Sequence, residues 1–199
     1  VSAKENQAQP DFFKATQLAP WDPKPLMDMA WFRHSACQMM TREKLQEQTG
    51  GVGKPITVDA TRHLPDLWRV CLPTLEEALK VAPRDRSLWY WLGRFHEDHA
   101  ERAREIAAPE EGPQRGALEQ YAAGALEEAL KAYMESYRLY PTRPENAWRV
   151  GKVLERLGRP GDARQYLEKA LAYHRLQVLD RLKLPKDVVE DLERRFGGK

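Results

Sequence analysis

Leu75-Glu76-Glu77-Ala78-Leu79-Lys80-Val81-Ala82-Pro83 is the stretch on which the fold turns. A bulky residue is followed three positions later by a small one and, five positions after that, by Pro. The phrase recurs as Phe12, Ala15 and Pro20 and again as Tyr133, Ser136 and Pro141. Leu167 and Ala170 repeat its first half 34 residues after Tyr133 and Ser136. Residues at i and i+3 share one face of a helix. The small one lets a second helix axis approach, and the large one fills the gap beside it. Pro then closes the unit, because it cannot continue a helix and disfavours helix in the residue before it. Repetition at this period predicts an all-α fold built from successive helix pairs.

Reading outward from Pro83, Trp89-x-x-Leu92-Gly93-x-x-His96 precedes Ala129-x-x-x-Tyr133 and Pro141. Ala147, Val150, Gly151 and Leu154 are followed by Ala163 and Leu167 in the same manner. Leu26, Met29 and Ala30, then Cys71 and Leu75, supply an earlier copy. On these residues the chain resembles the tetratricopeptide repeat family. The resemblance implies an α-solenoid of about three helix pairs in a single domain over residues 1–199. Its parts are an orphan helix at 3–19, unit one at 23–83, unit two at 86–141, unit three at 144–175 and a C-terminal cap at 176–197. His96 departs from the pattern, standing where the repeat places a large core aromatic.

Two units are enlarged. Pro20 to Pro83 is 63 residues and Pro83 to Pro141 is 58, which leaves 29 and 24 residues beyond the 34-residue period. Both insertions fall between the two helices of a pair, at about Thr41 to Leu64 and Ala107 to Gly124. Gly50-Gly51-Val52-Gly53-Lys54-Pro55 and Pro109-Glu110-Glu111-Gly112-Pro113 favour exposed loops, open to proteolysis at Gly50–Pro55 and Pro109–Gly116. Arg42 to Gln48 and Ala117 to Ala125 are rich in helix formers and favour lengthened helices instead. The third pair has the short turn Leu157-Gly158-Arg159-Pro160-Gly161-Asp162.

Composition narrows the function. The 199 residues carry 32 basic and 30 acidic side chains, a net charge of +2 that offers no electrostatic case for nucleic acid. No apolar run approaches the roughly 20 residues that cross a bilayer. Membrane contact is therefore expected only through a partner or a missing segment. Val1 in place of Met suggests a processed product or a piece of a longer chain, and the compartment, cytoplasmic or periplasmic, stays open. Cys37 and Cys71 lie on the two helices of one pair, which puts a disulfide within reach in an oxidising compartment. Cys71 otherwise reads as a small buried side chain. Two Cys lack the second pair that a Cys-rich metal site needs. His96 and His99 share a face at a spacing that can hold metal, but the sequence is not H-E-x-x-H, and a packed His96 is the expectation. Gly53-Lys54 is not a phosphate loop, since Gln48 and Pro55 stand where Gly and Ser or Thr are required. No nucleophile motif or dinucleotide fingerprint occurs. The Glu–Lys spacings, as in Glu76 to Lys80, are solvated helix faces. Neither catalysis, a metal nor a cofactor is expected.

The resemblance places first helices on a concave face. By slot, the inward residues include Trp31, Tyr90 and Trp148 with Arg94 and Lys152, followed by His34, Glu97 and Glu155. Aromatic bodies and cationic tips of this kind can grip a peptide with apolar anchors and a carboxylate. No Asn stands in these slots, so the carboxylate clamp of chaperone-tail-binding members is not implied. Pro185 opens a last amphipathic helix, Lys186 to Phe196, after a preceding helix free to run on to Asp180. The expected function is a non-catalytic interaction or assembly module that holds a polypeptide partner within a larger complex. Two alternatives remain. One is the soluble tail of a bacterial membrane protein similar to the O-antigen ligases, from Leu139-Tyr140-Pro141-Thr142-Arg143-Pro144 and the basic last helix. The other is a cofactor or metal binder with its site in the inserted loops.

Overall fold

A computed structural model of the chain describes residues 3–38, 71–108 and 111–197. Among these residues there are eight α-helices and no strand. They are α1 (Ala3–Leu18), α2 (Lys24–Gln38), α3 (Leu72–Val81), α4 (Arg86–Ala107), α5 (Gly112–Leu139), α6 (Pro144–Arg156), α7 (Pro160–Leu176) and α8 (Lys186–Phe196). The most extensive packing joins α4 to α5, then α6 to α7.

The repeated phrase has one physical meaning at all three places. Helices α1, α3 and α5 each end two residues before their Pro. The small residue's carbonyl accepts the last helical bond, from Ala19 N to Ala15 (3.0 Å), Ala82 N to Ala78 (2.9 Å) and Tyr140 N to Ser136 (3.1 Å). A turn with Pro at its second position follows, closed by Asp22 N to Ala19 O, Asp85 N to Ala82 O and Arg143 N to Tyr140 O. Asp22 and Asp85 then start the next helix, their carboxylates accepting from Lys24 N (2.9 Å) and Ser87 N (2.7 Å). At the third junction Asn146 takes over, its Nδ2 donating to the Ser136 and Tyr140 carbonyls at 3.2 Å each.

Close approach between paired helices rests on two glycines. A Cβ on Gly93 would stand 2.7 Å from the Tyr133 ring, and one on Gly151 would stand 2.6 Å from Leu167 Cδ2. Tyr133 and Leu167 are fully buried. At the turn between α6 and α7, Gly158 takes φ 74°, where a side chain would be strained.

Two apolar clusters result. One joins α2, α3 and the first half of α4 through Ala30, Leu72, Leu75, Ala78, Leu88 and Phe95. The other runs from the second half of α4 through α5, α6 and α7 to Leu184 and Leu192.

Two expectations meet the structure. The second insertion, read either as a loop or as lengthened helices, is not one long loop: α4 runs to Ala107 and α5 begins at Gly112. The reason is that the apolar stripe continues, with Ala103, Ile106 and Ala107 buried in one cluster with Leu118, Ala122 and Ala125. Residues 111–113, 115 and 116 are exposed, as expected of that end. Nor does α7 run on to Asp180. It stops at Leu176, after which Leu184 N donates to His174 Nδ1 (3.2 Å) and Gln177 Nε2 to the Thr142 carbonyl (3.2 Å). These bonds turn the chain through a 3-10 turn, Asp180–Leu182, so that α8 lies back on α7. The first insertion, with Gly50–Pro55, and the Cys37 side chain, hence the Cys37–Cys71 pairing, fall outside the described residues. Cys71 is a buried thiol. No described helix is long and apolar enough to cross a membrane.

Candidate interaction cleft

Gly93 brings the Tyr133 ring against α4, and the Tyr133 hydroxyl then donates to Glu97 Oε2 (2.7 Å), one turn further along α4. Glu97 is only 7% exposed, and a carboxylate at that depth requires compensation. Two arginines of α6 supply it: Arg149 Nη1 donates to Oε2 at 3.2 Å and Arg156 Nη1 to Oε1 at 3.1 Å. Arg94 Nη1 stands 3.9 Å away on α4 itself. Glu97 therefore fastens α4, α5 and α6 at one point. Burial, with a further push from the Glu97 charge, holds the Tyr133 hydroxyl well above its usual pKa. Burial acts to lower Arg149, but the Tyr133, Glu97 and Tyr90 charges outweigh it and hold the guanidinium above its ordinary value.

Outside this lock lies a cleft of about 550 Å3 between α4 and α6. Glu97 and Arg149 form its floor, and Glu101, Arg104, Glu105, Trp148, Lys152 and Arg156 its walls. Trp148 is half-buried, with the Arg149 guanidinium over its ring at 4.5 Å from the centroid. Lys152 Nζ donates to Glu155 Oε2 (3.1 Å) and its side chain keeps 40% of its exposure. With three acids and four bases around it, the cleft carries nearly balanced charge.

The five residues singled out from the sequence divide. Trp148 and Lys152 line the cleft. Arg94 lies just behind it, drawn to Glu97 and, at 3.5 Å, to Asp98. Tyr90 packs beside Tyr133 and donates to Glu145 Oε1 (2.5 Å), with burial foremost in raising its hydroxyl to about 12. Trp31 belongs to the other apolar cluster, edge-on to Trp91 with ring centroids 4.5 Å apart. Arg149 and Arg156 did not stand out in the sequence. They lie 52 and 59 positions from Glu97, so no local spacing relates them. His96, expected to be packed, is half-buried; among the described residues His34 and His99 are the buried histidines. The helix phase brings His99 rather than His96 against α2, where the two rings stand 5.6 Å apart.

The fold and cleft define a class: an all-helical protein of successive hairpins with a charge-locked junction beside an open groove. Residues 73–190, over half of the 199, match the profile of the regulator of microtubule dynamics protein 1-3 family, and the chain belongs to that family. No curated protein matches the chain. The match overturns the assignment to tetratricopeptide repeats and, with it, the resemblance to bacterial ligase tails. The physical reason is that small residues against large ones, and a Pro turn after the helix, are what any close helix hairpin demands. Those slots reported the packing and not the family. The 34-residue spacing itself occurred once, from Tyr133 to Leu167.

Proposed function

We propose that the chain is a non-catalytic interaction module that takes a polypeptide of the microtubule system in the cleft between α4 and α6. The observation that carries this reading is the cleft itself, an aromatic face and cationic tips over a floor already neutralised by Arg149 and Arg156. Trp148 supplies the apolar anchor, and Lys152 with Arg104 supplies the polar rim. Arg94 and Tyr90 support this surface from behind rather than touching the partner, and Trp31, in the other apolar cluster, takes no part in it. The family's name supports microtubule-associated partners. The larger helix contacts join neighbours along the chain, which favours a stacked, solenoid-like order of hairpins with α8 as the end cap.

Co-sedimentation of the full chain with polymerised tubulin, with and without other microtubule-associated proteins, tests the proposal. Wild-type protein is expected in the pellet in at least one condition. Trp148→Ala and Lys152→Glu should weaken binding by about 2 kcal/mol and about 1 kcal/mol respectively, with unfolding little changed. Absence from the pellet in both conditions, or binding that both variants retain in full, would contradict it.

A further inference from the structure

A second constellation lies in the other apolar cluster, away from the cleft. His34 on α2, Cys71 at the start of α3 and His99 on α4 are buried at 0%, 0% and 3% exposure. One ligand atom from each lies within 4.8 Å of the other two. We propose that these three side chains form a transition-metal site, suited to Zn2+, that ties α2, α3 and α4 together.

The donor chemistry selects the ion. One thiolate with two imidazoles is a soft, nitrogen–sulfur set, which favours tetrahedral Zn2+ over the oxygen-seeking cations. Bond lengths of about 2.3 Å to sulfur and about 2.0 Å to nitrogen separate tetrahedral ligand atoms by roughly 3.5 Å. Cys71 Sγ and His34 Nδ1 stand 3.9 Å apart, within a small side-chain adjustment of that value.

The surroundings hold the ligands ready. His34 Nε2 lies 2.9 Å from Asp98 Oδ2. An Nε2–H donated to this carboxylate leaves the lone pair on Nδ1, the atom that faces Cys71 Sγ. A carboxylate behind a histidine in this way is the usual support of a metal-bound imidazole. The His34 ring is stacked on Phe95 with centroids 3.9 Å apart and planes 7° from parallel, and Trp31 abuts it edge-on at 6.0 Å. The ring has one orientation, so little entropy is lost on coordination. Cys71 is the N-cap residue of α3, where the helix dipole favours the thiolate. Binding exchanges the Cys71 thiol proton for the ion: one proton leaves, one S–metal bond forms, and no redox change is involved.

Optical titration of the reduced, chelator-treated full chain with Co2+ tests the site. The expected result is one equivalent bound, with tetrahedral visible bands and a sulfur-to-cobalt charge-transfer band, all bleached by Zn2+. The chain has two cysteines, so the thiolate can be assigned. Cys37→Ser should keep the charge-transfer band and Cys71→Ser should lose it. Asp98→Asn should keep it while weakening affinity about 10–100-fold. Zn2+ should raise the melting temperature of wild type and of Cys37→Ser, but not of Cys71→Ser. No charge-transfer band in wild type overturns the site, as does a band that survives in Cys71→Ser or vanishes in Cys37→Ser. If Cys71→Ser does not fold, His99→Gln serves in its place, and unchanged affinity in that variant overturns the site equally.

Discussion

Glu97 shows what a single buried charge can hold together. Its carboxylate meets Tyr133, Arg149 and Arg156 from two other helices. Glu97→Gln would leave Arg149, 15% exposed, without its counter-charge. Breaking a fully buried pair costs about 3–5 kcal/mol. Because water still reaches both arginines, a loss of about 2–3 kcal/mol is expected here, measured by denaturant unfolding. Gly93→Leu should cost about 3 kcal/mol or more, since the Tyr133 ring cannot retreat within a packed core. For a chain of this size that is a fall of roughly 6–12 °C in melting temperature. An unchanged melting point would refute the contact. The glycine was legible in the sequence because Tyr133, on the paired helix, fills the matching slot. The charge lock was not, because ion pairs between helices leave no periodic trace. The tyrosines add a pH signature. Burial foremost raises Tyr90 and Tyr137 to about 12, with a hydrogen bond to Tyr173 also acting on Tyr137. A hydroxyl whose folded pKa exceeds its unfolded value of about 10 stabilises the fold below that value. The contribution is lost as pH rises from about 10 to about 12. The part of the tyrosinate absorbance that Tyr90→Phe and Tyr137→Phe remove should therefore appear together with loss of helical signal in that range, and its appearance before unfolding would contradict the placement of these two side chains.

At the scale of elements, the lesson lies in the α4–α5 hairpin. The breakers Pro109, Gly112 and Pro113 marked an interruption correctly, but they could not say how short it is. The alanine-rich flanks decided that, because Ala103, Ala107, Ala122 and Ala125 let the extended helices pack as closely as the rest. Helix α8 is held differently, by an apolar face around Leu192 and by Arg195, which bonds Glu155 of α6. Burial acts to raise the Glu155 carboxyl, but hydrogen bonds from Arg195 and Lys152, with their charges, outweigh it and hold it below its usual range. A depressed carboxylate stabilises the fold above its unfolded pKa, and that contribution is lost as pH falls through the folded one. Arg195→Ala should thus lower stability at neutral pH by at most about 1 kcal/mol, given the exposure of the pair. The difference from wild type should shrink to nothing in strong acid. A pH-independent difference would mean that Arg195 acts by packing on Phe196, over which its guanidinium also lies.

Among the described residues the molecule is all-helical, and each helix meets its neighbours along the chain. That much was readable from spacing alone, since bulky, small and Pro positions are imposed by packing. Family membership was not, because any close helix hairpin demands those positions, so they do not tell one helical family from another. The cleft was half legible: Trp148 and Lys152 were read as inward-facing and do line it, although Trp148 also packs on the apolar cluster, as Tyr90 does, whereas Trp31 lies in the other cluster. Amide hydrogen exchange of the full chain, alone and with polymerised tubulin and its associated proteins, tests the central claim most directly. Bound partner should slow exchange in residues 97–105 of α4 and 148–156 of α6, and Trp148→Ala should abolish that protection. Protection confined to α1, to α8 or to the α7–α8 connection, with the cleft exchanging as in the isolated chain, would contradict it.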